Sequence, residues 1–168
     1  MITILPDVLQ HHLKVVFCGT AAGTKSAKVG AYYAGPGNQF WPVLHRVGLT
    51  PHQLEPYHFR SVIQYGIGLT DLAQQTSGMD KVLKKNDFDA AGFKRKMMDY
   101  RPKIIAFNGK KAASAYYNRN TSHISYGLQP DKIGQSMVFV MPSTSSPARG
   151  FWDESQWVTL AECVKGLG

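Results

Sequence analysis

Apolar positions gather into four short, nearly continuous runs, Lys14–Cys18, Ser61–Tyr65, Lys103–Phe107 and Met137–Met141, each followed closely by Gly, Asn or Pro. β-branched and aromatic runs of this length predict strands buried on both faces. Between them, apolar residues recurring every three or four positions predict helices over Gln39–Val47, Ala90–Tyr100, Lys110–Tyr117 and Asp153–Lys165. The Arg101-Pro102 pair stops the second helix, and Asp153 with Gln156 offers a cap and box for the last. Strands of the buried type separated by helices predict an α/β fold with a mostly parallel four-stranded sheet covered on both faces. No repeat, low-complexity tract or linker interrupts the pattern, so one domain over residues 1–168 is expected.

In such sheets, ligands bind beyond the carboxyl ends of the strands. There the segments Thr20–Ala31, Gly66–Asp71, Asn108–Lys111 and Pro142–Gly150 converge, and they hold the unusual residues of the chain. The first strand runs into Gly19-Thr20-Ala21-Ala22-Gly23, whose small side chains leave backbone N–H groups uncovered beside room for a flat polar ring. This is neither a Walker loop nor the dinucleotide Gly-x-Gly-x-x-Gly spacing, and a tight strand-to-helix turn accounts for it equally. Tyr33 precedes a Gly-Pro-Gly turn, where an aromatic plane can stack on a base. Asn38 can either pair with a base edge or cap the helix that follows. Phe40 and Trp41 fall at core spacing. Ser143, Thr144, Ser145 and Ser146 present small hydroxyls suited to phosphate oxygens, and Arg149 on the same loop can enter the gap left by an extruded nucleotide. A plain polar surface loop is the competing account of that segment.

Charge changes the picture only in part. Nineteen Lys and Arg against 11 Asp and Glu give a formal charge of +8, which suits a polyanionic partner but also many merely soluble proteins. Lys81, Lys84, Lys85, Lys94, Arg95 and Lys96 read as solvated helix faces. Lys110 and Lys111 differ, because they open a helix directly after a strand. The two cysteines, Cys18 and Cys163, form neither a metal-ligand spacing nor a disulfide framework, which predicts a reducing, intracellular setting without a zinc or iron–sulfur site. No apolar run approaches the roughly 18 residues of a membrane span.

The segments Val16-Phe17-Cys18-Gly19, Pro36-Gly37-Asn38-Gln39-Phe40-Trp41, Tyr65-Gly66-Ile67-Gly68-Leu69-Thr70, Phe107-Asn108-Gly109-Lys110, Tyr126-Gly127-Leu128-Gln129-Pro130 and Met141-Pro142-Ser143 occur in an order that resembles the uracil-DNA glycosylase superfamily. The resemblance is nearest to the mismatch-specific uracil/thymine branch and runs from about Lys14 to the last helix. It implies an α/β/α sandwich, cofactor-free monofunctional removal of uracil from DNA, and a monomer associated with DNA. It places backbone groups of Gly19, Ala21, Ala22 and Gly23 at the uracil edge, Tyr33 on its ring and Asn38 at the pocket wall. It also implies that Lys25, Ser26, Lys110 and Ser143–Ser146 hold DNA phosphates while Arg149 fills the gap.

The chain departs from that branch at one critical point. Its first motif carries Gly-Ile-Asn-Pro-Gly, whose Asn positions the attacking water. Here that Asn is Ala21 and the Pro is Ala22. Thr70, Asp71 and Thr20 are the candidates to replace it, with capping of the Leu72 segment as the alternative role of the first two. A lesion-binding module without turnover is the second functional expectation, motivated by Ala21. A serine hydrolase using residues 143–146 is a third, weakened by the lack of a Gly-x-Ser-x-Gly elbow.

Overall fold

Five strands, β1 (Val15–Ala22), β2 (Ile67–Ser77), β3 (Ile104–Asn108), β4 (Gly127–Leu128) and β5 (Met137–Met141), form one sheet in the computed structural model, which describes residues 3–78 and 83–167. Their order is β2-β1-β3-β5-β4, parallel except for β4, which runs antiparallel to β5. The expected sheet of four strands thus gains a two-residue edge strand, too short to show as an apolar run. Helices α1 (Thr24–Val29), α2 (Phe40–Arg46), α3 (Ala90–Tyr100), α4 (Lys110–Tyr117) and α5 (Glu154–Lys165) complete the fold.

Val15, Val16, Phe17 and Cys18 are all fully buried, which is why the first run is continuous rather than alternating. Successive residues serve opposite layers. Phe17 packs with Phe40, Trp41 and Trp157 under α2 and α5, whereas Val16 and Cys18 pack with Phe93, Met97, Phe107 and Ala112 under α3 and α4. Helices on both faces make this the α/β/α sandwich expected from the sequence. The outer edge of β2 is covered by the N-terminal segment. Val8 and Leu69 exchange both backbone hydrogen bonds at 2.9 Å, and Ile4 N–H donates to the Gln74 carbonyl at 2.8 Å.

One predicted strand is corrected. Residues 61–65 belong to a 3₁₀ segment, Pro56–Tyr65, and the strand begins after it, at Ile67. Pro56 opens that segment, Phe59 and Val62 bury one side of it at a spacing of three, and Gly66 ends it at φ 78°. Gly66–Asp71, read as a loop, is therefore mostly strand interior. Thr20–Ala31 is likewise not a loop throughout: β1 continues to Ala22, and α1 follows after Gly23. The bounds of α3, α4 and β5 match the apolar pattern. Arg101 ends α3 in the left-handed region at φ 54°, and Asp153 caps α5 by accepting from Ser155 N–H, not through a box with Gln156. Lys81, counted above among the basic residues, lies outside the described residues.

Candidate active site

Strands β1 and β3 part company at the carboxyl edge. β1 pairs with β3 only over Val15–Cys18, while its pairing with β2 continues to Ala22. Because β2 lies on one side of β1 and β3 on the other, this opening is the switch point of the sheet. Gly19 and Asp71 are register partners on its floor, and Asn108 closes β3 opposite them.

Asp71 is the buried carboxylate at this edge. Its residue is 7% exposed. Burial, and secondarily the nearby Asp7 charge, push its carboxyl up to about 7. The side chain leans over Gly19: a β-carbon there would stand 2.8 Å from Asp71 Oδ1 and 3.4 Å from the Tyr33 hydroxyl. Gly19 thus lets a carboxylate and a phenol approach the strand from one side. Gly19→Ala is expected to displace the Asp71 carboxylate and fill that space, lowering activity at least about ten-fold in single-turnover assays. Circular dichroism should show the fold unchanged.

Tyr33 reaches the same spot from above. It sits at φ 54°, an uncommon conformation for a residue with a side chain. Its neighbours hold it there: Trp41 Nε1 donates to the Tyr32 carbonyl at 2.9 Å, and Ala34 N–H donates to Ser26 Oγ at 2.9 Å. The ring stacks on Phe40, with centroids 4.0 Å apart and 28° between planes. Its hydroxyl is buried, with the Asn108 side chain beside it. Burial first, and the Asp71 charge second, hold the phenol well above its ordinary pKa, while the Asn108 side chain pulls it the other way.

The loop after β5 is tied down by the carboxyl end of β3. Asn108 Nδ2 donates to Thr144 Oγ1 at 3.0 Å, and Thr144 N–H returns a bond to Asn108 Oδ1 at 3.1 Å. Gln39 N–H donates to the Thr144 carbonyl at 2.9 Å, and Ser146 Oγ donates to the Pro36 carbonyl at 2.6 Å. The Gly-Pro-Gly-Asn turn and the Ser/Thr loop are therefore one assembly. Gly37, at φ 75°, lets them meet, since a β-carbon there would stand 3.0 Å from Arg149 Nη2.

Several sequence-derived site residues take other positions. Thr70 is adjacent to Asp71 but on the opposite face of β2, where its hydroxyl donates to Asp7 Oδ1 at 2.6 Å; Lys96 Nζ pairs with Asp7 Oδ2 at 2.5 Å. The pleat separates it from the crevice, so it does not join Asp71 there, and neither residue caps a segment. Ser26 is buried at 4% exposure and holds Ala34, so it offers no hydroxyl to DNA. Thr144 is buried at 1%, with its hydroxyl committed to Asn108. Asn38 caps: its Oδ1 accepts from Phe40 N–H at 3.0 Å. Ser143 Oγ donates to Ser145 Oγ at 3.0 Å and also accepts from Ser145 N–H. Lys110 opens α4 with its ammonium 4.4 Å above the Tyr126 ring. Lys25 is exposed on α1; Thr20, Ala21 and Gly23 lie at the open end of β1, with Ala22 buried beside them. Asn108 is the residue to which sequence reasoning gave no role. An Asn closing an apolar strand at the ligand-binding edge was the available sign.

Among the described residues, no group of three or more His, Cys, Asp or Glu side chains stands ready to hold a metal ion, and no helix is long and apolar enough to cross a membrane. An open cleft of about 470 Å³ lies on the α3 side, lined by Asp7, Leu9, Arg95, Lys96, Asp99 and Tyr100.

A parallel sheet that parts at its switch point, a buried carboxyl on the floor of that opening and a hydroxyl-rich loop tied to its far strand make up the candidate site. The family model of the Uracil DNA glycosylase superfamily matches residues 6–160, and the chain belongs to that superfamily. The fold is similar to the solution NMR structure of a candidate uracil DNA glycosylase from Methanosarcina acetivorans, with a TM-score of 0.66 and 22% identity over 96% of each chain.

Proposed function

We propose that this protein is a monofunctional glycosylase that removes uracil from DNA, with Asp71 taking the place that an Asn fills in the mismatch-specific branch. The observation that carries the proposal is the juxtaposition of Asp71, Gly19 and the Tyr33 hydroxyl at the mouth between β1 and β3. A base inside a duplex is unreachable, so the nucleotide is swung out at a cost of roughly a few kcal/mol, least at a mismatch. Phe40 covers one face of Tyr33, and the other face is where the extruded ring stacks. Backbone groups at the open end of β1 meet its polar edge.

The bond between C1′ and N1 then breaks, its electron pair leaving with the base as the sugar becomes an oxocarbenium ion. Ionised Asp71 favours that cation and orients the water whose oxygen adds to C1′. The proton released goes to the carboxylate or to solvent. DNA phosphates near Lys110, Lys25 and the free edges of Ser143 and Ser145 supply positioning and part of the negative field. The positive charge of the chain supports such a partner.

Duplexes holding one uracil opposite guanine or adenine, incubated with excess protein and then treated with alkali, are expected to break at that position. Intact strands at all protein concentrations overturn the proposal. Ala21 favours a second reading, in which the protein binds extruded or missing bases without excision. Retained affinity for an abasic duplex together with intact uracil strands selects that alternative.

A further inference from the structure

Asp7 lies outside the crevice, yet three donors from two other elements converge on its carboxylate. Thr70 Oγ1 donates to Oδ1 at 2.6 Å, Gln74 Nε2 donates to the same oxygen at 3.1 Å, and Lys96 Nζ pairs with Oδ2. Thr70 and Gln74 are four apart on β2 and so share the face that looks toward α3, the helix that carries Lys96. Gln74 Nε2 also donates to the Asp71 carbonyl at 2.5 Å. The network therefore grips the backbone of the residue whose carboxylate reaches the crevice from the opposite face.

Docking the N-terminal segment does not require these bonds, because the paired bonds between Val8 and Leu69 already hold it against β2. The Asp7 side chain is only 21% exposed, and covering a charge to that degree costs free energy that an apolar residue would not. The charge has a use on the other side of the strand. Asp7 bears on the Asp71 carboxyl and adds to the effect of burial there. Cys18 of β1 and Tyr32 and Tyr33, ahead of α2, also face Asp71, and burial keeps all three neutral. Among the described residues, the charge felt by Asp71 thus comes from Asp7, partly cancelled by the Lys96 ammonium on its far oxygen.

Resting on the proposed glycosylase reading, we infer that Asp7 is a positioning residue for the reaction: from behind β2 it fixes the backbone that carries Asp71 and, in balance with Lys96, sets the charge field in which Asp71 works. It touches neither base nor sugar. Its charge opposes the ionisation of Asp71, and once Asp71 is ionised it deepens the negative potential that favours the sugar cation. Lys96 tempers both effects.

The experiment compares wild type with Asp7→Asn and Lys96→Met in the full chain. Asn keeps the acceptor for Thr70 and removes the charge; Met keeps the stem of the lysine and removes the cation. Ionisation of Asp71 is followed through its carboxyl carbon NMR resonance, assigned by its absence in Asp71→Asn, and single-turnover uracil release is measured across the same pH range. Asp7→Asn is expected to lower the Asp71 midpoint by roughly half a pH unit or more, and Lys96→Met to raise it similarly, with the pH–rate limb moving alongside. The alkaline plateau of Asp7→Asn should fall about three-fold as its share of the field is lost. A merely structural role would move both variants the same way or neither; either result, or shifts in the reverse sense, overturns the inference. Should Asp7→Asn fail to fold, Lys96→Met alone decides, by a raised or an unraised midpoint. Wild type that releases no uracil defeats the glycosylase reading, and the midpoints still decide whether Asp7 governs Asp71.

Discussion

Asp71→Asn is expected to reduce single-turnover base release about 100-fold near pH 8, the largest loss from any single conservative change. The amide keeps the size of the carboxylate and removes its charge. Wild type should show a rate that climbs as pH rises through about 7, where the buried carboxyl ionises. The Asn variant should show no such limb. Stability must move the other way. Burial raises the folded-state pKa of Asp71 above its unfolded value, so its stabilising share is fully present in acid and is lost as pH rises through about 7. Asp71→Asn should therefore melt higher than wild type in mild alkali, with the gap closing toward the ordinary carboxylate range. A variant that keeps full activity, or one that melts lower at every pH, removes Asp71 from the site.

Trp157→Ala is expected to cost about 3–5 kcal/mol of folding stability, measured by denaturant unfolding. The indole is fully buried. It stacks on Phe17 with centroids 5.6 Å apart, meets Phe40 edge-on at 6.3 Å, and donates to Pro142. Removing it opens a cavity under the strand that forms the crevice floor and leaves the Pro142 carbonyl unpaired. Trp157→Phe separates the two effects: it keeps most of the packing, so its cost should fall to about 1–2 kcal/mol, the share of a lost buried hydrogen bond. Because Pro142 leads into the serine loop, Trp157→Phe should also weaken DNA affinity more than its modest destabilisation explains.

The elements easiest to find from sequence were those with chemical stops. Arg101-Pro102 ends α3, Asp153 starts α5, and Met137–Met141 is flanked by a polar residue and a proline, so pattern and structure coincide there. Ser61–Tyr65 misled because a five-residue apolar run fits a strand and a tight helical turn alike; Phe59 and Val62, three apart, decide it only once packed. The site was legible in its segments and not in its faces. Thr70 and Asp71 are neighbours in sequence, yet the pleat sends them to opposite layers, and the partner that claims Thr70 is Asp7, 63 residues away. Ser26 and Thr144 looked like free hydroxyls because nothing local reveals a bond to Ala34 or Asn108. Uncommon motifs identified the superfamily, since close backbone approach at Gly19 and Gly37 demands particular residues, whereas long-range pairing leaves little trace in composition.

The strap that Ile4 and Val8 lay along β2 has a consequence for solubility. A long outermost strand whose amides lack partners is a template onto which other chains can add, and β2 spans eleven residues. Peeling that strap away would take Asp7 from beside Asp71 and Thr70 and, at the same stroke, bare an edge to which further copies of the chain can add.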